Sequence, residues 1–422
     1  MNRNEQHRLV ILGSLSEFIP LVKRAKERGI YTIVCDGYSD GPAKQFADVV
    51  YNIDVRNHEE IAKMCVAEKA DGIIGSFSDL LFEQITKIAD IAGLRWYAKP
   101  DMLDYYREKD CAKALLTKLG VRVPKNTQLY PDFNDAELDG FVFPLVIKPV
   151  NGYGSKGIFV VRTLEEIRDY FDQVVLRSSG VRQKIQVEEY AQGYEYNIMT
   201  WLTDGKVYPL GLADRERNPQ VGSAIPQMNR IAYPSRNLDK IIDEATLVLQ
   251  KFADAVGQTE GALSMQFFYD ENGVEVCEIA GRLFAYENEL ITYGSGLSIM
   301  DLLLDYVYDP EKVRDVLMNH STRYEKCFAG FYFVGIHGKT IADQSVIREL
   351  AKDPHVMDTL MFYEDGETID RYSSKSYLVR YYIGAESREE LDAVTKMFFE
   401  RMYVPATDGE RLDMPFIFET RG

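Results

Sequence analysis

The sequence predicts a chain of mixed α/β and α+β class with more than one domain, and three observations predict it. The first hundred residues alternate short apolar runs with amphipathic stretches of helical length, the pattern of strands joined by helical crossovers in a parallel sheet. Residues 142–157, VFPLVIKPVNGYGSKG, place an apolar strand carrying Lys148 directly before a loop with Gly152, Gly154 and Gly157. Beyond residue 194, alternating segments flank an Asp-Gly and an Asn-Gly pair, the signature of antiparallel hairpins. At 422 residues the chain exceeds one ordinary core, since single cores stop growing at about 250–300 residues.

Composition narrows the function classes. With 46% hydrophobic and 27% charged residues, the chain reads as a soluble globular protein. Its net charge of −17 argues against nucleic acid as a partner, because a phosphate backbone demands concentrated Lys and Arg. An anionic ligand must then be held by local clusters. The five cysteines, Cys35, Cys65, Cys111, Cys277 and Cys327, are scattered without a CxxC pair and read as reduced core residues. The polar opening MNRNEQHR runs straight into LVILG, without the long apolar stretch of a signal peptide or membrane span. A cytoplasmic location with no membrane partner is the expectation.

Taken in order, LVILG, PLVKRAKERG, YTIVCD, a helix near 57–69 and DGIIG predict a Rossmann-like parallel sheet with covered faces. Gly13 ends the first strand and Asp36 the second, but GSLSEF lacks the GxGxxG spacing of a dinucleotide site. A helix over 107–119 precedes Gly120, and Pro124 and Pro131 mark an extended passage. GIFVV follows the glycine loop as a strand, Thr163-Leu164-Glu165-Glu166 has capping-box spacing, and KIQVEEY is a third strand. Residues 141–190 thus form a small α+β unit with the glycine loop as a hairpin at one edge. EYNIMTWL and VYPLGLAD pair around Asp204-Gly205, a helix spans 238–256, and ALSMQFFYDENGVEVCEIAGR turns at Asn272-Gly273. The tail holds strands at 329–336 and 376–385 and a helix capped by Ser387 with Glu390.

The strand and loop at 142–157 carry the clearest chemistry. A strand fixes the Lys148 ammonium, which pairs with phosphate as a point charge, while glycines let backbone N–H groups approach a polyphosphate closely. Ser155 and Lys156 add a hydroxyl and a cation to that loop. The five histidines, His7, His58, His320, His337 and His355, lack metal-ligand spacing, and there is no GxSxG or HExxH.

The order of these parts resembles the ATP-grasp superfamily, in the branch with biotin carboxylase, carbamoyl-phosphate synthetase, the purine-pathway ligases and the ATP-dependent amino-acid ligases. The resemblance covers nearly the whole chain. It implies a three-domain ATP-grasp fold: a Rossmann-like domain over 1–105, an ATP-grasp domain over 106–310 with a lid at about 120–190, and a C-terminal α+β sheet subdomain over 311–422. Lys148 and Lys109 match the lysines that touch nucleotide phosphates, and Gly152, Gly154, Ser155, Lys156 and Gly157 match the flap over them. VEEYAQGYE, residues 187–195, matches the adenine hinge. By that match Glu188 lies near the adenine amino group, the backbone of Glu189 and Ala191, flanking Tyr190, pairs with the base, and Glu195 takes the ribose hydroxyls.

Relatives hold Mg²⁺ with a Glu on one strand and a Glu-x-Asn on the next. Here those positions are Gln266, Glu278 and Ala280. Such a set implies one Mg²⁺ rather than two, with Mn²⁺ as an alternative. Glu287, Asn288 or Glu289 either supplies the missing oxygen or simply opens a helix. Arg282 matches the arginine that steadies an acyl phosphate, and Arg215 and Arg230 match the acceptor side of the site. Arg217 either joins them or belongs to a surface ion-pair cluster.

The function so implied is ATP-dependent activation of a small-molecule carboxylate for attack by an amine, by a homodimer. The alternatives are a bicarbonate- or formate-using enzyme, as in biotin carboxylase or the purine pathway, and a nucleotide-binding sensor or scaffold.

Overall fold

The computed structural model describes residues 6–150, 157–177, 183–191, 193–217, 228–370, 373, 375 and 377–414. Four parallel strands, β1 (Arg8–Leu12), β2 (Tyr31–Cys35), β3 (Val49–Tyr51) and β4 (Gly72–Ile74), form a sheet in the order β3-β2-β1-β4. Helices α1 (Ile19–Glu27) and α2 (His58–Ala67) provide crossovers, a short 3-10 turn at Pro42–Phe46 links β2 to β3, and α3 (Asp79–Ala92) follows β4. Strand β1 is the centre because it is apolar along its length, with Leu9 to Leu12 fully buried, as a strand covered on both faces must be. Helices α4 (Leu103–Arg107) and α5 (Lys109–Lys118) then lead out of this unit.

The next unit is a four-stranded antiparallel sheet, β5-β8-β6-β7, made from β5 (Asn126–Leu129), β6 (Leu145–Pro149), β7 (Phe159–Val161) and β8 (Ile185–Glu189), with α6 (Leu164–Val175) on one face. Its core, including Leu129, Leu145, Ile147, Val161, Ile167 and Val187, is separate from the main core. The β6–β7 hairpin lies at the edge, as the α+β reading expects. The capping signal at Thr163 is met with a displaced return arm. The Thr163 hydroxyl accepts from the Glu166 N–H at 3.1 Å, while the Glu166 carboxylate accepts from the N–H of Arg162, one residue upstream. Ser387 and Glu390 repeat this arrangement, with the return arm on Glu386.

The remainder is organised by one eight-stranded antiparallel sheet. Its strands are β9 (Tyr194–Thr203), β10 (Lys206–Arg217), β11 (Met228–Tyr233), β12 (Gly261–Asp270), β13 (Gly273–Ala280), β14 (Cys327–Phe333), β15 (Val356–Met361) and β16 (Val379–Ala385), in the order β13-β12-β9-β10-β11-β14-β16-β15. Helix α7 (Leu238–Val256) packs on β10, β12 and β13. Helices α8 (Asn288–Ser295), α9 (Ile299–Tyr308) and α10 (Pro310–Met318) follow β13, α11 (Ser345–Leu350) precedes β15, and α12 (Arg388–Arg401) covers β14 and β16. Residue 310 therefore falls in a helical connection, and the sheet runs on across it. Four strands, the short or edge strands β3, β5 and β15 and the interior β11, are not singled out by sequence alone. The second hairpin turns through Glu271 and Asn272, one residue earlier than expected, because Gly273 already pairs with Asp270 at φ +94°. No described helix is long and apolar enough to cross a membrane.

A buried ionic network fastens α12 to the central sheet. Arg230, fully buried, donates to Glu216 at 2.8 and 2.9 Å, to Asp392 at 2.5 Å and to Thr395 at 2.9 Å. Arg388 adds ion pairs to Asp214 at 2.8 Å and Glu216 at 2.9 Å. Removing one partner of such a cluster strands a charge in low dielectric. Asp392→Ala should therefore cost about 3–5 kcal/mol, read from the urea midpoint. Asp239→Ala, which breaks the exposed pair with Arg323, should change stability by about 0–1 kcal/mol.

Candidate functional site

A cleft of about 370 Å³ opens where the lid, the central sheet and the N-terminal domain meet. The lid contributes β6 and the end of β8; α5 contributes Lys109; β12 and β13 form the floor; Phe77 comes from the loop after β4 and Asp79 from the start of α3. That last position is the carboxyl end of a parallel strand, where open α/β sheets bind ligands.

Lys148 sits near the end of β6 and is buried, with its ammonium 2.7 Å from Glu188 on the neighbouring β8. The register pairs Val146 with Glu188, so residues 146 and 148 share a sheet face with it. Lys113, on α5, reaches the same carboxylate oxygen at 2.7 Å. It is four residues after Lys109 and so one helical turn along the same face, a spacing visible in the sequence. Burial would raise the Glu188 carboxyl, but the Lys113 and Lys148 ammonium groups outweigh it and hold it down at about 2. Glu188 thus fastens the lid to α5 while orienting Lys148.

The hinge after β8 is held by its backbone. The Glu189 N–H donates to the Lys125 carbonyl at 2.9 Å and the Tyr190 N–H to Pro144 at 3.1 Å, and both residues line the cleft with Ala191. The Glu189 carboxylate accepts from the Val142 N–H at 3.0 Å. Gly193 opens β9 at φ +95°, where a Cβ would lie 2.5 Å from the Tyr269 carbonyl oxygen, so no side chain fits there. Gly157 is described, at φ +74°. Gly152, Gly154, Ser155 and Lys156 lie outside the described residues.

Glu195, expected at the ribose, is buried at the centre of a cluster. Arg215, directly opposite it across the β9–β10 ladder, Arg217 and Gln266 all bond to its carboxylate. Burial pushes this carboxyl up, and the two guanidinium groups bring it below its usual range. Because a carboxylate only accepts, Gln266 must turn its NH₂ toward Glu195, leaving its oxygen as the end available to a cation. Gln266 pairs in register with Glu278, and a bulge between Gln266 and Phe267 brings Cys277 to the cleft alongside Glu278 and Ala280. Among the described residues no three Asp, Glu, His or Cys side chains gather to hold a metal. Mg²⁺ commonly takes one or two protein oxygens and completes its shell with phosphate and water. Glu278 and Gln266 fit a metal carried by a nucleotide.

Arg282 crosses from the sheet to the N-terminal domain, donating through Nε and Nη2 to both Asp79 oxygens at 2.8 Å. Burial raises the Asp79 carboxyl, and Arg282 more than offsets it. Asp79, which follows the strand DGIIG and opens α3, had a positional signal in the sequence that was not used. Two aromatic residues nearby, Phe77 at φ +74° and Tyr286 at φ +60°, adopt left-handed backbone that bulky side chains rarely take. Buried Arg380 holds the second by donating to the Tyr286 carbonyl at 2.5 Å. The turn places Glu287 in the cleft, where Asn197 donates to it at 2.8 Å and Tyr233 at 2.9 Å. Burial pushes the Glu287 carboxyl up against the pull of those partners and of Arg215.

One expected site residue is corrected. Arg230 is not in the cleft; it points to the opposite side of β10–β11 and joins the α12 network. Strand alternation is the reason, since on paired β10 the cleft-facing residues are Arg215 and Arg217.

An ATP-grasp domain model matches residues 141–288. The formate-dependent phosphoribosylglycinamide formyltransferase of Trichormus variabilis is 28% identical over 284 residues, covering 65% of this chain and 69% of that one. Among solved structures, an L-amino acid ligase from Bacillus licheniformis superposes with a TM-score of 0.79 at 16% identity, over 94% of this chain and 98% of the other. The biotin carboxylase domain of the Hydrogenobacter thermophilus 2-oxoglutarate carboxylase, solved with MgADP and bicarbonate, superposes at 0.72 and 16% identity, over 95% and 91%. The chain carries an ATP-grasp domain within the three-domain ATP-grasp fold.

The Glu188 bridge has a pH signature. Its folded value of about 2 lies below the ordinary 4.5, so its stabilisation is present above pH 4.5 and is lost as pH falls through 2. The stability gap between the native protein and Glu188→Gln should be constant near neutrality and close between those values. Urea midpoints measured against pH check this; a gap that ignores pH there contradicts it.

Proposed function

We propose that this ATP-grasp protein is an ATP-dependent ligase that activates a carboxylate as an acyl phosphate for attack by an amine, releasing ADP and phosphate. The observation that carries the reading is the convergence of Lys109, Lys148 and Arg282 from three different elements on one cleft. Phosphoryl transfer asks chiefly for alignment and charge neutralisation, and these cations supply it without a protein nucleophile. Lys148 on the lid, oriented by Glu188, and Lys109 at the start of α5 are placed for the nucleotide phosphates. The hinge Glu189–Tyr190–Ala191 edges the place of the base. Arg282, whose Nε and Nη2 are held by Asp79, keeps its remaining Nη N–H groups for the acyl phosphate oxygens.

Glu278 and the Gln266 oxygen would hold Mg²⁺ with the nucleotide, which supplies charge neutralisation at the β- and γ-phosphates. In the first step a carboxylate oxygen attacks the γ-phosphorus and ADP leaves. In the second, the amine nitrogen attacks the acyl carbon, phosphate departs with the C–O electron pair, and nitrogen loses a proton.

Lys148→Ala should lower ADP release by about 10²–10³-fold, the usual cost of losing one donor to developing charge, with an unchanged circular dichroism spectrum. Native-like release in that variant overturns the proposal. Glu278→Ala should raise the Mg²⁺ concentration needed for half-maximal turnover. Ala280 and the sparse metal ligands favour a second reading, a nucleotide-binding scaffold; calorimetric MgATP binding without ADP formation across a broad acid and amine panel would select it.

A further inference from the structure

The cleft has a second half beyond the phosphate-facing lysines. Its charges are nearly cancelled by the protein itself. Among the described residues, Arg282 faces Asp79, while Arg215 and Arg217 share Glu195. Glu278 and Glu287 line the same cleft and act on these guanidinium groups as well, so the protein's own carboxylates offset its arginines here. The Glu287 carboxylate accepts from Asn197 and Tyr233.

Among the described residues, one wall of this half is apolar and aromatic. Phe77 and Phe284 form a parallel backbone bridge from the two domains and both line the cleft, with Ala285 and Tyr377 beside them. These rings are braced from behind. Phe77 packs edge-on against Phe18 at 5.6 Å between centroids, and Tyr377 packs against Tyr332 at 4.3 Å and Tyr286 at 5.6 Å. Phe284 lies 5.4 Å from the Arg282 guanidinium, so the carboxylate-binding fork and the apolar wall are adjacent.

A phosphorylated sugar would bring a dianion and a set of hydroxyls to a wall of rings whose arginines are already offset by carboxylates, and its unpaired polar groups would be costly to bury. Formate or bicarbonate would leave the wall unused. We propose that the acid activated here is a monocarboxylate with an apolar body about the size of a phenyl or isobutyl group. The inference deepens the ligase reading and rests on it.

The test uses hydroxylamine as a trapping nucleophile, so the natural amine need not be known. The acid's oxygen takes the γ-phosphoryl group and ADP leaves. Hydroxylamine nitrogen then attacks the acyl carbon, phosphate leaves with the C–O electrons, nitrogen gives a proton to water, and a coloured hydroxamate–iron complex reports the product. With the full-length protein and MgATP, 3-phenylpropanoate and 4-methylpentanoate should give kcat/KM at least about tenfold above formate, acetate and a phosphorylated acid such as 3-phosphoglycerate, because each buried methylene is worth about 10-fold or more in such a pocket. Tyr377→Ala and Phe284→Ala should each reduce that preference ratio. Preference for a small or phosphorylated acid, or ADP release stimulated by bicarbonate above all others, overturns the inference while leaving the ligase reading standing. No hydroxamate and no acid-stimulated ADP from any acid overturns both. The native protein's own preference decides the matter if either variant fails to fold.

Discussion

Strand β10 carries Asp214, Arg215, Glu216 and Arg217 into the interior, and because strand side chains alternate, the acids and the arginines leave on opposite faces. Asp214 and Glu216 meet Arg388 and Arg230 under α12, while Arg215 and Arg217 meet Glu195 in the cleft. Each buried charge is tolerable only because its partner is delivered by another strand or helix in a set register. A slip of one residue would aim two carboxylates at the cleft and two guanidinium groups at other arginines. The position of the C-terminal helix and the electrostatics of the cleft are therefore consequences of the same pairing.

The lid obeys a similar logic on a smaller scale. Its core is its own, so it is joined to the body by polar links, of which the buried Glu188 bridge between Lys148 and Lys113 is the innermost. A carboxylate shared by two ammonium groups leaves positive charge facing the space where phosphates are proposed to lie.

The cleft floor shows how a departure from the superfamily's usual ligands is absorbed. With Gln at 266 in place of a carboxylate, Glu195 acquires an additional donor and the local charge becomes less negative. The cost falls on the proposed Mg²⁺, for which Glu278 and an amide oxygen remain. Across the cleft, strain is held at Phe77 and Tyr286, each anchored by the opposite domain: Phe77 bridges to Phe284, and Tyr286 donates its hydroxyl to Glu17 at 3.1 Å.

The alternation of apolar runs and helical stretches was enough to derive the parallel sheet of the N-terminal unit, and the run from Val142 through the glycines sufficed for the lid hairpin and its lysine. Those features are local, governed by periodicity and by glycine's conformational range. Edge strands such as β3 and β15 escaped because pairing, rather than composition, makes them strands. The partners of the site residues escaped for a related reason. Asp79 lies 203 residues from Arg282, and Lys113 and Lys148 converge on Glu188 only once α5 packs beside β8. Which face Arg230 takes is likewise invisible until its register with β10 is set. Residue type and spacing determined which side chains could bind phosphate and carboxylate. Tertiary packing decided which of them are neutralised within the protein and which remain to meet a ligand, because compensation of a buried charge depends on distances of a few ångströms between segments far apart in the chain.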